Sequence, residues 1–318
     1  MTEDERSAAG SPSTPEPDGP SVGPPGGKVG APGPTRPPRN RTAQFAWGAV
    51  AVILVAVIAL VTYALTDPPP TQQKVQRATT SSDVVAQLGK VPASVFDSIG
   101  ATAPDTELVA PTVLSGQPPL QGGGKPAVLY VGAEYCPFCA SERWPLIVAL
   151  SRFGHFTGLK NMQSAPLSVF PGTQTFSFVG SSYSSRYLVF TGVELYSDAV
   201  DARGAFARIT TLTPTQAQVV AHYGSRSGAT ATSGSYPFVD IGNRMVLSTS
   251  SFSPAMLVKQ SQAAIAGALN QAQSPITQAV VASANQLTAG ICAATGQLPT
   301  TVCASKGVRD AAAALGMS

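Results

Sequence analysis

Histidine is almost missing from this chain of 318 residues: only His155 and His222 occur. His222 sits in a polar stretch and reads as a surface or capping residue. His155 follows Gly154 at an expected helix end, where an imidazolium suits the dipole. Neither completes a catalytic triad. Gly224-Ser225-Arg226-Ser227-Gly228 has the outer glycines of a nucleophile elbow, but Arg226 stands where the serine belongs. Gly122-Gly123-Gly124-Lys125 lacks both the leading Gly and the trailing Ser/Thr of a phosphate loop, and reads as a turn. Charge is scarce as well, at 12% Asp, Glu, Lys and Arg with a net +3. So small an excess, concentrated in the N-terminal tail, leaves no electrostatic footprint for nucleic acid. Cysteine is limited to Cys136, Cys139, Cys292 and Cys303. A zinc site would need a second close pair, yet ten residues separate Cys292 from Cys303. No metal and no cofactor are expected.

One stretch lacks charge altogether. Phe45 to Leu65 gives 21 uncharged, mostly apolar residues, which as a helix span about 30 Å and cross a bilayer. Residues 1–44 are crowded with Pro, Gly and Ser and have no aliphatic run, so they read as a disordered tail. That leader is too long for a signal-peptide n-region, and no A-x-A site follows the span; an uncleaved anchor is expected. Arg36, Arg39 and Arg41 precede the span and Asp67 with Pro68-Pro69-Pro70 follows it. By the positive-inside tendency the tail is cytoplasmic, and everything after Leu65 lies outside the cell membrane. The sequon Asn40-Arg41-Thr42 then carries no meaning. All four cysteines fall on the side where disulfides persist. Of three possible pairings, Cys136–Cys139 and Cys292–Cys303 are expected.

Beyond a linker at 66–80, residues 81–318 read as one extracytoplasmic domain. Val84, Val85 and Leu88, then Val91, Val95, Phe96 and Ile99, suggest two short helices interrupted at Gly89 and Pro92. Ala127–Gly132 is an apolar run of strand length, and Ala140 to about Ser151 carries Trp144, Ile147, Val148 and Leu150 at helical spacing. Strands are expected at 175–179 and 187–195, and a helix at 214–222 with Thr213 as N-cap and Pro214 at the first position. Phe238–Ile241 and Arg244–Leu247 flank Gly242-Asn243 as a hairpin. Ser253-Pro254 and Ser274-Pro275 open helices to about Asn270 and Gly290, the second with a stripe of Ile276, Val280, Ala284 and Leu287.

Cys136-Pro137-Phe138-Cys139 therefore lies where a buried strand turns into a helix. Unpaired N–H groups and the helix dipole favour a thiolate there. A C-x-x-C is also compatible with half a zinc site or an inert disulfide; the strand-to-helix setting favours redox chemistry. Cys292 and Cys303 flank a turn-rich segment, and read either as a structural disulfide or as a second redox pair relaying electrons.

A strand, a C-x-x-C at a helix start, a helical region and a proline leading into a hairpin together resemble the thioredoxin-like superfamily over roughly residues 81–270. Ala133-Glu134-Tyr135-Cys136-Pro137-Phe138-Cys139 is similar to its active-site segments, and Tyr236-Pro237-Phe238-Val239 to its cis-proline loop. The apolar span, Gly124-Lys125-Pro126, the run through Arg143-Trp144-Pro145 and the Cys292/Cys303 pair resemble more narrowly a membrane-tethered thioredoxin-like family, domain of unknown function 929. That family supplies no function of its own. The superfamily resemblance implies an α/β fold, with a thioredoxin-like central sheet, an inserted segment within 151–234 and extra C-terminal helices. It implies thiol–disulfide exchange with cysteine-containing extracytoplasmic proteins: Cys136 as nucleophile, Cys139 as resolving thiol, and Tyr236 and Pro237 binding substrate backbone. Oxidation is favoured over reduction, since a reductive role needs electrons from a membrane redox partner and the span has no cysteine. The rival is a redox-inactive thioredoxin-like binding or scaffolding module. Thioredoxins carry a buried Asp six residues before the first Cys; here that residue is Tyr130. Glu134 and Glu142 are the candidate proton acceptors, though each also reads as a solvated surface carboxylate.

Overall fold

The computed structural model describes residues 82–224 and 236–317. The expected tail (1–44), membrane span (45–65) and linker (66–80) lie outside the described residues, as does the Gly-Ser-Arg-Ser-Gly run after Gly224. Among the described residues no helix is long and apolar enough to cross a membrane.

Two short helices open the described residues, α1 (Ser82–Leu88) and α2 (Ala93–Ile99), broken where the sequence places Gly89 and Pro92. Strands β1 (Thr112–Val113) and β2 (Gln121–Gly122) follow, and the Gly123-Gly124 turn leads into the long strand β3 (Lys125–Gly132). Helix α3 (Pro137–Ser151) comes next. Four strands then form antiparallel pairs: β4 (Gly154–Thr157), β5 (Lys160–Gln163), β6 (Gln174–Ser177) and β7 (Ser182–Ser185), with β5 on β6 and β4 on β7. They precede β8 (Val189–Glu194), so this ribbon is an insertion in the crossover from β3 to its parallel neighbour. His155, expected at a helix end, stands exposed in β4 instead, because the chain enters the ribbon directly at Gly154.

Strands β9 (Tyr196–Val200) and β10 (Phe206–Arg208) pair with each other and lead to α4 (Pro214–Tyr223). There Thr213 and Gln216 form the reciprocal capping box. His222 is exposed in its last turn. The hairpin β11 (Phe238–Ile241) and β12 (Met245–Leu247) turns through Gly242 and Asn243, both at positive φ, the conformation a tight hairpin turn demands. The helix expected from Ser253 to about Asn270 is broken. A single 3₁₀ turn at Pro254–Leu257 stops at Lys259, whose φ is 64°, and Ser261 caps a separate helix α5 (Gln262–Ala268). Helix α6 (Pro275–Ala294) follows, then α7 (Thr300–Cys303) and α8 (Lys306–Ala314).

The result is a mixed α/β fold around one mixed sheet. Its strands run β1-β12-β11-β3-β2, and β8 pairs with β3 in parallel. Strand β3 is covered on both faces, and its residues alternate as period-2 geometry requires. Val128 and Tyr130 join the large core shared with α3 and α6, while Leu129 and Val131 face the smaller core that includes Val219 and Tyr223 of α4. Helix α6 is buried at every position from Ala279 to Cys292, so the expected single stripe is in fact a helix enclosed all round. Small residues permit that enclosure; a Cβ at Gly290 would overlap the Met245 side chain.

Cys292 and Cys303 form a disulfide that ties the end of α6 to α7. Replacing both by serine in the full-length protein is expected to lower the melting temperature, the loss being about 3 kcal/mol by loop entropy. The reactivity of Cys136 toward alkylating agents is expected to stay unchanged. Altered Cys136 reactivity at an unchanged melting temperature would instead mark the pair as an electron relay.

Candidate active site

Cys136 is the N-cap of α3, and Pro137 occupies the first helical position, where a missing N–H costs nothing. The Cys136 sulfur accepts the N–H of Cys139 at 3.4 Å. Both cysteines are free thiols. Cys136 keeps 8% of its surface exposed, whereas Cys139 is fully enclosed and its sulfur accepts the Ala133 N–H at 3.5 Å. The two sulfurs differ in acidity accordingly. A hydrogen bond from the Cys139 thiol pulls Cys136 down to about 7 against the cost of burial, and backbone N–H groups and the Arg143 charge help. Burial pushes Cys139 well up, and so does its neighbour Cys136. One thiol is thus poised to ionise near neutrality while the other stays protonated.

The Tyr236–Pro237 peptide bond is cis, as the sequence suggested, and Pro237 leads directly into β11. The Tyr236 carbonyl accepts from the Cys136 thiol at 3.9 Å. Tyr135, Tyr196 and Tyr236 pack around Ala133, Cys136 and Cys139, and Tyr135 stacks on Phe206 at 3.9 Å between centroids. The tip of the inserted ribbon, residues 164–173, reaches the same place. Ala165 N–H donates to the Tyr135 carbonyl at 3.0 Å, and Phe170 meets Phe138 edge to face. That loop carries Leu167, which is 99% exposed, and Val169, also exposed.

Glu134 and Glu142 are not surface carboxylates. Both are fully buried. Glu142 serves a loop instead of the thiols: its Oε2 accepts the Ser251 N–H at 2.7 Å, and its Oε1 finds no hydrogen-bond partner. Burial drives it up to about 8, so at neutral pH it is mainly a neutral acid holding a loop after β12. Glu134 lies on the β3–α3 turn and accepts a hydrogen bond from Ser177 of β6. Its negative charge is felt at Glu194, which places it at the site's edge.

Sequence reasoning passed over Arg143 and Glu194. Arg143 is wholly buried, and its Nε and Nη2 hold both carboxylate oxygens of Glu194, at 2.9 and 2.7 Å. Nη2 also donates to the Ala133 carbonyl at 3.0 Å, while Nη1 has no hydrogen-bond partner. The guanidinium carbon stands 5.6 Å from the centroid of the Tyr130 ring. Burial works against the Arg143 charge, but Glu194 outweighs it and holds the group firmly protonated. Tyr130, six residues before Cys136, is a buried phenol. Burial, together with the Cys139 thiol beside it, pushes its phenol well up although the nearby Arg143 pulls the other way. The ring fits because Gly132 has no side chain; a Cβ there would overlap the Tyr130 hydroxyl. The signal available in the sequence was charge inside two otherwise apolar runs: the Glu142-Arg143 doublet on α3 and the single Glu194 at the end of β8. Among the described residues no cluster of His, Cys, Asp and Glu has the makings of a metal site.

Alkylation of Cys136 by iodoacetamide is expected to follow a titration centred near pH 7, with Cys139 inert across the same range; mass spectrometry of the modified peptides checks both. Cys139→Ala removes the largest acidifying contact and is expected to move the Cys136 midpoint upward. Glu142 gives a stability prediction with a definite sign. Its folded value of about 8 lies above its ordinary value of 4.5, so the folded state binds the extra proton and stability falls as pH rises between those values. Glu142→Gln is therefore expected to stabilise the protein at pH 8, the advantage shrinking toward pH 4.5. Denaturant unfolding at the two pH values reads this difference, and a gap independent of pH would contradict it.

No curated protein and no solved structure matches the chain. A family model described as Domain of unknown function (DUF929) matches residues 113–293, which is more than half of the sequence and holds Cys136, Cys139, Arg143, Glu194 and Pro237. The chain belongs to that family.

Proposed function

We propose that the protein is a membrane-anchored, extracytoplasmic thiol–disulfide oxidoreductase of thioredoxin-like architecture, which oxidises cysteines of client proteins. The observation that carries the reading is the unequal pair of sulfurs: Cys136 lowered to about 7 at a helix N-terminus and Cys139 enclosed and raised behind it. The sheet supports it. Strands β8-β3-β11-β12 stand side by side, with β8 parallel to β3 and β11 antiparallel, and the C-x-x-C follows the inner strand β3. The cis-proline enters β11 beside it. The anchor is residues 45–65, with the tail cytoplasmic.

In the oxidising direction a client thiolate attacks the Cys136 sulfur of the Cys136–Cys139 disulfide. A client–Cys136 mixed disulfide forms and Cys139 leaves, taking a proton. A second client thiolate then attacks the client sulfur of that bond and releases Cys136 as the thiolate. The client leaves with a disulfide, and the protein holds two electrons as the dithiol. A membrane redox partner that presents a disulfide returns Cys136–Cys139 to the oxidised state. Backbone pairing to Tyr236 aligns the client by strand addition. Phe138, Leu167 and Val169, exposed around the site, suit apolar unfolded chain.

Cys139→Ala in the native membrane is expected to accumulate mixed disulfides through Cys136, visible as reducible adducts on non-reducing gels and absent from the Cys136→Ser/Cys139→Ala double variant. If the folded, expressed variant gives no Cys136-dependent adduct, the oxidoreductase reading is wrong and the dithiol serves a binding module.

A further inference from the structure

Arg143 has no assigned task in the exchange reaction, yet its position is specific. Cys136, Cys139 and Arg143 are spaced i, i+3 and i+7 on α3 and so share one face of the helix. A guanidinium does not deprotonate in a protein. Here it is wholly buried, where charge acts through a lower dielectric than water. Glu194 grips one side of it through Nε and Nη2. The Ala133 peptide connects it to the resolving sulfur: its carbonyl accepts from Arg143 Nη2, and its N–H donates to Cys139.

We propose that Arg143, locked by Glu194, is the fixed positive charge that favours the dithiol over the disulfide and so makes Cys136–Cys139 an acceptor of electrons from client thiols. This rests on the oxidoreductase reading above and assigns its direction. The logic is electrostatic. The reduced pair carries a thiolate, whereas the disulfide carries no charge. A buried cation nearby stabilises only the charged member of the couple, and a stabilised reduced form is a stronger oxidant. The other groups that face the pair do not supply this charge. Tyr130 from β3 and Tyr135, Tyr196 and Tyr236 around the thiols are phenols. Glu134 and Glu194 are carboxylates that oppose a thiolate. Arg143 is a positioning residue in this scheme, since it touches neither the client nor the reacting sulfur–sulfur bond. Glu194 fixes the guanidinium and at the same time moderates it, so removing each partner has opposite effects.

The test uses the full-length protein in detergent micelles, with two readouts: the pH midpoint of Cys136 alkylation and the dithiol–disulfide equilibrium against glutathione. Arg143→Met is expected to raise the midpoint by a pH unit or more. It is also expected to shift the equilibrium at least tenfold toward the disulfide, about 30 mV for a two-electron couple. Glu194→Gln leaves the cation without its counter-charge and is expected to move both readouts the other way. Arg143→Lys, which keeps the charge and loses the fork, is expected to fall between wild type and Arg143→Met. If Arg143→Met fails to fold, Glu194→Gln decides alone, because a purely structural role for the pair predicts no downward shift of the midpoint. Variants that titrate and equilibrate like the wild type overturn the role of Arg143 and leave the oxidoreductase reading standing. A wild-type dithiol that never exchanges with glutathione overturns the oxidoreductase reading itself.

Discussion

The ladder on either side of β3 sets the position of everything at the site. In the parallel pair Gly132 lies opposite Glu194, and in the antiparallel pair Val131 lies opposite Phe238. Three chain ends therefore arrive at one edge of the sheet: the turn that leads to Cys136, the end of β8 that carries Glu194, and the Tyr236-Pro237 entry to β11. A slip of one residue in either pairing would turn Glu194 to the opposite face or carry Tyr236 away from the Cys136 sulfur. Register is secured because β3 is buried on both faces. Alternating Val128, Tyr130 and Leu129, Val131 each have their own core to fill.

Beneath that edge the molecule accepts a cost that most cores avoid. A wholly buried Arg–Glu pair must recover the desolvation of both ions through geometry, and the two-point grip of Arg143 on Glu194 provides it. One guanidinium nitrogen nevertheless stays without a hydrogen bond, and so does one oxygen of the neighbouring Glu142.

Much of the architecture was legible before the structure. The apolar run before Cys136, the capped helix at Pro214 and the Gly-Asn hairpin each rest on local rules that nothing in the tertiary structure contradicts. Pro237 was legible as well, because Tyr236-Pro237-Phe238-Val239 resembles a cis-proline loop and a strand and turn follow it at once. The carboxylates were misjudged for a physical reason. Glu142 sits in a helix that sequence alone leaves free to be half exposed, but α3 is enclosed by the sheet, α6 and the inserted ribbon, and Glu134 in the turn before it is covered by Ser177 of the ribbon. The Arg143–Glu194 pair joins residues 51 positions apart through a parallel crossover. Local spacing contains no trace of such a contact; only the charges in apolar runs hinted at it. Likewise the helix after Ser253 read as continuous because Lys259 gives no sign of its left-handed turn.

The same chain carries an open dithiol at one place and a closed disulfide at another. A protein that trades disulfides meets its own copies as readily as its clients, so its permanent bond is a standing target for its own nucleophile. Exchange demands that a thiolate approach a sulfur along the sulfur–sulfur axis, and the sulfurs of Cys292 and Cys303 belong to residues only 2% and 5% exposed. Burial at the end of α6 limits that approach only in part, since Cys292 and Cys303 line a cavity and Cys136 is itself only 8% exposed. What separates the lasting bond from the dithiol proposed to turn over is then the setting of Cys136, at a helix N-terminus beside a buried cation, more than exposure.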